Sequence, residues 1–278
     1  MCLLVFAWNA HPRYRLIFAG NRDEFHDRPA DPLQWWADDA GIRQQTPAGI
    51  LAGRDLQAGG TWLGLSRGGR FGVVTNFRDM QRPQPGAPSR GDLVTQWLTA
   101  TMSAQAFAAE LGRRAADYAG FNLLIATADE MVYASNRATP FARRLEPGVY
   151  GLSNHLLDTP WPKLARTHAR FTRLIAGSRP SLGDLEQMLA DRQPASDAEL
   201  PSTGAPPEWE RMLSAPFIVD TRSGADAKYG TRCTTIVLVE GGGRTSVRER
   251  RFDPAGRTTG MEEISFEPLR SRTNATRT

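Results

Sequence analysis

Two apolar runs, Leu3-Leu4-Val5-Phe6-Ala7-Trp8 and Leu16-Ile17-Phe18-Ala19-Gly20, flank the turn-rich stretch Asn9-Ala10-His11-Pro12-Arg13-Tyr14 near the start of the chain. Neither run alternates with polar residues, so both faces of each have to be covered, and the polar turn between them reads as a strand hairpin. A strand pair covered on both faces belongs inside a layered fold. The second run ends in four consecutive polar residues, Asn21-Arg22-Asp23-Glu24. Buried charge is costly unless paired, so such a cluster is either a self-satisfied structural pair or the edge of an active site. In a hairpin the end of the second strand returns beside the start of the first, which places this tetrapeptide next to Cys2.

Cys2 directly follows Met1. Removal of Met1, favoured before a small side chain, would leave a thiol and a free α-amine on one residue. Their ordinary pKa values, about 8.5 and about 8, both lie near neutrality. That is the chemistry of N-terminal-nucleophile hydrolases, in which the terminal amine takes the proton that other hydrolases give to histidine. On its own, position 2 reads equally as a buried strand cysteine.

More of the chain bears on the choice: Asn21-Arg22-Asp23-Glu24-Phe25 with Arg28-Pro29, Gly59-Gly60-Thr61-Trp62-Leu63-Gly64, Thr75-Asn76, Arg90-Gly91-Asp92-Leu93-Val94, Gly120-Phe121-Asn122-Leu123, Tyr150-Gly151-Leu152-Ser153-Asn154, Thr159-Pro160-Trp161-Pro162-Lys163 and Tyr229-Gly230-Thr231-Arg232. With Met1-Cys2 and its strand, these motifs resemble, in order and over nearly the whole chain, the NRDE family, also called the transport and Golgi organisation protein 2 family. That family is similar in turn to the N-terminal-cysteine hydrolases that cleave penicillin V and conjugated bile acids. The resemblance implies an α+β fold, a four-layer αββα sandwich of the N-terminal-nucleophile hydrolase type. It implies hydrolysis of an amide, or of an ester or thioester, by Cys2, with Asn76 at the oxyanion position and Asn154 at a second polar position beside the nucleophile. The competing reading is a non-catalytic binding or trafficking protein for haem or a lipid or acyl-CoA ligand, held in a pocket lined by Trp35, Trp36 and Trp62.

From the residues alone, Asn76 and Asn154 each end a buried strand and read as turn formers; an amide so placed can also donate to a developing oxyanion. Arg232 opens the apolar strand Thr234 to Val239 and, near Cys2, would favour the thiolate; it reads equally as a sheet-edge arginine paired to an acid. Cys233 alternates away from it and is expected to be an inert core thiol. In the hydrolases two residues separate the arginine and aspartate, whereas here Arg22 and Asp23 are adjacent. If the strand stays extended, Asn21 and Asp23 face one way and Arg22 and Glu24 the other. Asp23 or Glu24 is thus left to partner the terminal ammonium; Asp23 is expected, with Arg22 beside it.

The net charge of +4 is carried almost wholly by arginine, with Lys163 and Lys228 the only lysines, and no basic run interleaves with aromatics, so no nucleic-acid partner is expected. Two cysteines, Cys2 and Cys233, and four histidines without metal-ligand spacing imply no structural zinc, and no glycine cluster opens a helix in a phosphate-binding pattern. No cofactor is expected, and the partner is a small acyl substrate or hydrophobic ligand. No apolar run spans a bilayer and none has a signal peptide's flanks, so a cytoplasmic location is expected. Residues 1–268 are expected to form one domain and the basic tail 269–278 to be disordered. Between Phe25 and Gly41 the prolines and tryptophans suggest an ordered loop. A meander follows over Ile50–Asp55, Thr61–Ser66 and Arg70–Asn76, then helices over Gly91–Met102 and Ser103–Tyr118. Later strands are expected at 122–126, 131–135, 150–154, 216–221, 232–239, 244–252 and 262–266. A helix capped by Asp158 or Thr159 runs to about Ala176, another spans Ser181–Asp191, and 192–214 reads as loop.

Overall fold

A computed structural model describes residues 2–36, 49–79, 86–177, 179–220 and 229–268. The opening hairpin is formed by strands β1 (Cys2–Trp8) and β2 (Tyr14–Phe25), paired antiparallel with Cys2 opposite Arg22 and Trp8 opposite Leu16. Every residue of β1 is buried, which is what its unbroken apolar run requires. The pleat divides the hairpin between two cores: Leu4, Phe6, Trp8, Leu16 and Phe18 point into one, and Leu3, Val5, Ala7, Ile17 and Ala19 into the other.

These strands belong to a six-stranded sheet. Its order is β10 (Gly148–Leu152), β1, β2, β11 (Tyr229–Glu240), β12 (Thr245–Phe252) and β13 (Thr258–Phe266). The second sheet has seven strands in chain order: β3 (Ala30–Trp35), β4 (Ile50–Asp55), β5 (Leu63–Ser66), β6 (Phe71–Asn76), β7 (Phe121–Ala126), β8 (Met131–Ser135) and β9 (Ala142–Arg144). Leu51, Leu65, Phe71, Val73, Leu124 and Tyr133 of this sheet meet Leu4, Phe6 and Phe18 in the core between the sheets.

Helices cover both outer faces. Against the seven-stranded sheet lie α1 (Gly91–Thr99), through Leu93, Val94, Trp97 and Leu98, and α2 (Ala104–Gly112), through Phe107 and Leu111. Trp97 is fully buried and donates its indole N–H to the Phe71 carbonyl at 2.8 Å; buried aromatics of this size contribute about 3–5 kcal/mol each. Against the six-stranded sheet lie α3 (Pro162–Leu174), through Leu164 and Phe171, and α4 (Leu182–Leu189), through Leu185, Met188 and Leu189. The layers are therefore helix, sheet, sheet, helix, the αββα sandwich expected from the sequence.

Several local expectations are corrected. The Phe25–Gly41 stretch contains an edge strand, β3, whose register with β4 shifts between Asp31 and Gln34, so Pro32 sits at an irregularity where no ladder hydrogen bond is asked of it. The expected loop 192–214 holds a short helix, α5 (Pro207–Leu213), with proline in its first turn. Strand β9 is three residues long, and 216–220 contributes only an isolated bridge from Val219 to Gly230. Helix α3 is preceded by Trp161 rather than capped by Asp158 or Thr159. The Asp158 carboxylate instead accepts from the Gly151 N–H at 2.8 Å, and the Thr159 hydroxyl meets His155. The tail 269–278, part of the Phe25–Gly41 loop and residue 221 lie outside the described residues. No helix among the described residues is long and apolar enough to cross a membrane.

Candidate active site around Cys2

Strand pairing brings the polar strand ends together. Cys2 pairs with Arg22, and Arg22 pairs on its other side with Cys233, so the three side chains form a row on the inter-sheet face. The β2–β11 register shifts between Thr231 and Cys233, which places Arg232 in a bulge. Asp23, one residue beyond Arg22, points to the helix-covered face, where its Oδ1 accepts from the Thr231 hydroxyl at 2.7 Å. The Cys2 thiol accepts from the Asp23 main-chain N–H, and the Cys2 main-chain nitrogen donates to Asn154 Oδ1 at 3.1 Å.

Asn154 is fully buried and lies just past β10 at φ 49°, a left-handed conformation that asparagine tolerates better than most side chains. Its Nδ2 donates to the Asn76 carbonyl at 3.0 Å, and its own carbonyl accepts from the Arg78 N–H at 2.6 Å. One asparagine side chain thus ties the start of β1 to the end of β6, a strand of the other sheet. The Asn76 side-chain amide makes no hydrogen bond to another described residue and borders a cavity.

That cavity, of about 310 Å³, is lined by Cys2, Arg22, Asp23, Trp62 and Asn76 together with Arg28, Arg90 and Gly91. The Arg22 guanidinium lies 4.0 Å from the Trp62 ring centroid and is 7% exposed as a residue. The structure therefore brings Cys2, Arg22 and Asn76 to the lining of one cavity, which Asp23 borders while its carboxylate turns to Thr231 on the other face of the sheet, with Asn154 behind Cys2. It does not bring Arg232 there: that guanidinium donates to the carbonyls of Phe25 and Arg28 at 2.7 and 2.9 Å and fixes the chain leaving β2. Nor do the three tryptophans share a pocket. Only Trp62 lines the cavity, while Trp35 packs edge-on against Phe266 and Trp36 donates to the Ala52 carbonyl.

Electrostatics run against the sequence expectation of a favoured thiolate. Burial pushes the Cys2 thiol up; the Asp23 N–H and Arg22 act in the opposite direction but do not prevail. Cys233 is pushed well above the ordinary thiol range, by burial and then by the Glu249 carboxylate.

Lys163, at the start of α3, was not singled out by sequence reasoning as a site residue. It is 1% exposed, and its Nζ has no hydrogen-bond partner among the described residues. Burial pushes its ammonium down to about 8 against the attraction of Asp23, and Arg78 adds to the depression. Burial likewise raises the Asp23 carboxyl, against Lys163 and Thr231. Both shifts run toward the neutral forms, so desolvation outweighs the mutual attraction of the pair. Alongside, the buried Arg78 and Glu210 pair at 2.7 Å, and Glu210 also accepts from the Thr203 N–H at 3.0 Å. The sequence does carry a signal for Lys163: it is one of two lysines in a chain that otherwise uses arginine. Among the described residues no group of three or more His, Cys, Asp or Glu side chains is placed to hold a metal ion.

Residues 1–254 match the family described as Transport and Golgi organisation 2, and the chain belongs to that family. The mouse Transport and Golgi organization 2 homolog is 34% identical over 267 residues, covering 90% of this chain and 92% of that protein. The Drosophila melanogaster Transport and Golgi organization protein 2 is 24% identical over 263 residues, covering 86% and 88%. Among solved structures, the C2A mutant of the conjugated bile acid hydrolase from Clostridium perfringens is similar over 95% of this chain and 92% of that chain, at 12% identity and a TM-score of 0.42.

Proposed function

We propose that this member of the Transport and Golgi organisation 2 family is an acyl hydrolase that uses Cys2 as an N-terminal nucleophile once Met1 is removed. The observation that carries the reading is the hydrogen bond from the Cys2 nitrogen to Asn154 Oδ1, with the Cys2 side chain on a cavity wall shared with Asn76. In the mature chain that nitrogen is an α-amine. Asn154 orients it, and it takes the thiol proton as the sulfur attacks a carbonyl. The side-chain amide of Asn76 donates to the oxyanion so formed. Collapse of the tetrahedral species breaks the bond to the leaving amine, alcohol or thiol, which takes the proton from the ammonium. Water, deprotonated by the same amine, then attacks the acyl-enzyme, the C–S bond breaks, the acid leaves, and the ammonium returns its proton to the Cys2 sulfur. Asp23 and Lys163 lie behind the nucleophile and set the charge that the amine meets. The mixed polar lining of the cavity suits a small acyl compound, amide, ester or thioester, better than a large apolar ligand.

The test compares tag-free protein with protein extended ahead of Cys2, on a panel of small amides, esters and thioesters. Turnover is expected only from the tag-free form, and Asn76→Ala should lower it by about a hundredfold or more. Equal turnover by tagged and tag-free protein would exclude Cys2 as the nucleophile.

A further inference from the structure

The cavity beside Cys2 holds three guanidinium groups, those of Arg22, Arg28 and Arg90. Arg22 is more than nine-tenths buried, and its guanidinium stacks on Trp62 without a hydrogen-bond acceptor among the described residues. Arg28 spends only its Nε on Asp55, at 2.7 Å, and Arg90 only one terminal nitrogen on the Gly120 carbonyl, at 3.1 Å. Their remaining donors meet no acceptor among the described residues. Arg28 and Arg90 also lie close enough to repel, a repulsion that adds to burial in depressing the Arg90 guanidinium.

The acids of the cavity are largely committed elsewhere. Asp55 accepts from Arg28 and from the N–H groups of Gln57 and Ala58. Glu24 accepts from the Phe25 N–H, and its charge attracts Arg90; Asp23 turns to Thr231 on the opposite face of the sheet. Convergent guanidinium groups with unused donors on a recessed wall match the planar, two-oxygen geometry of a carboxylate.

We propose that the cavity selects acyl substrates bearing a carboxylate, which Arg28 and Arg90 clamp while the scissile carbonyl lies against Cys2. At about 310 Å³ the space limits such a substrate to a small metabolite. This specificity rests on the hydrolase reading, yet it can be tested apart from hydrolysis, because Cys2 itself reports on the charge of whatever enters.

The experiment measures alkylation of Cys2 in tag-free protein by iodoacetate and by iodoacetamide, resolved from Cys233 by peptide mapping, with glutathione as the reference thiol. The iodoacetate-to-iodoacetamide rate ratio at Cys2 is expected to exceed that of glutathione by about tenfold, and to fall as salt is raised. Arg90→Gln and Arg28→Gln should each pull the ratio toward that of glutathione, whereas Arg257→Gln, at an exposed position, should not. If Arg28→Gln does not fold for want of its Asp55 pair, Arg90→Gln decides. A ratio at or below that of glutathione, a ratio indifferent to Arg90→Gln, or a Cys2 that iodoacetate does not modify would each overturn the proposal. A high ratio in a protein that cleaves nothing would sink the hydrolase reading alone.

Discussion

Lys163 carries an ammonium into a place where burial opposes it, and that has a measurable signature. Its proton leaves the folded protein near pH 8, whereas an ordinary lysine, as in the unfolded chain, holds it to about 10.5. Between those values the unfolded chain binds more protons, so folding stability rises with pH across the window and this contribution is flat below it. The full rise is about 3 kcal/mol. Denaturant melts of wild type and Lys163→Met from pH 7.5 to 10.5 should show the wild type gaining on the variant as pH increases. Parallel curves would mean that the ammonium ionises as if exposed. The role of Lys163 was hidden in the sequence because a lysine in a helix usually points to water; only the packing of α3 on β1, beside the end of β2, turns it inward. Arg232 was misplaced for the converse reason. Its place at the head of an apolar strand reads as close to Cys2, and a bulge, which sequence does not announce, sends it to the carbonyls of Phe25 and Arg28.

At the scale of elements, the cavity depends on how closely the Gly59-Gly60-Thr61-Trp62 loop approaches the start of α1. A Cβ on Gly60 would lie 2.6 Å from the Gly91 carbonyl carbon and 2.9 Å from its oxygen, backbone atoms that cannot swing away. Gly59 lies at φ 80° with nothing within 4 Å of an added Cβ, so its alanine substitution costs only the backbone conformation, about 1 kcal/mol. Gly60→Ala is expected to cost about 1–3 kcal/mol and to change the rate of Cys2 alkylation by separating loop and helix. Gly59→Ala should lower the melting temperature slightly and leave that rate alone. Equal alkylation of the two variants would show that this contact does not shape the cavity. The long apolar strands were legible because burial on both faces writes itself as an unbroken run. Strands β3 and β9 were not: one carries a proline at a register shift and the other is three residues long, so neither shows a periodicity. Helix α5 escaped because its seven residues begin at the second proline of the pair Pro206-Pro207, which reads as loop.

For the whole molecule, the order of layers is the one implied by the family resemblance, and the structure has that order. What the resemblance did not reveal is that the two sheets meet at the site through Asn154, whose side chain touches the first residue of β1 and the last of β6. Separating the two sheets at this end would therefore break the Asn154 hydrogen bonds that join Cys2 to Asn76. The central claim is that the mature chain begins with a nucleophile carrying its own base. It is tested most directly by intact mass spectrometry of native, tag-free protein before and after exposure to a small activated acyl ester, with peptide mapping of any adduct. The account predicts a mass lacking Met1 and a transient acyl group on Cys2. A retained Met1 in protein that still cleaves the ester, or an acyl group found on any residue other than Cys2, would contradict it.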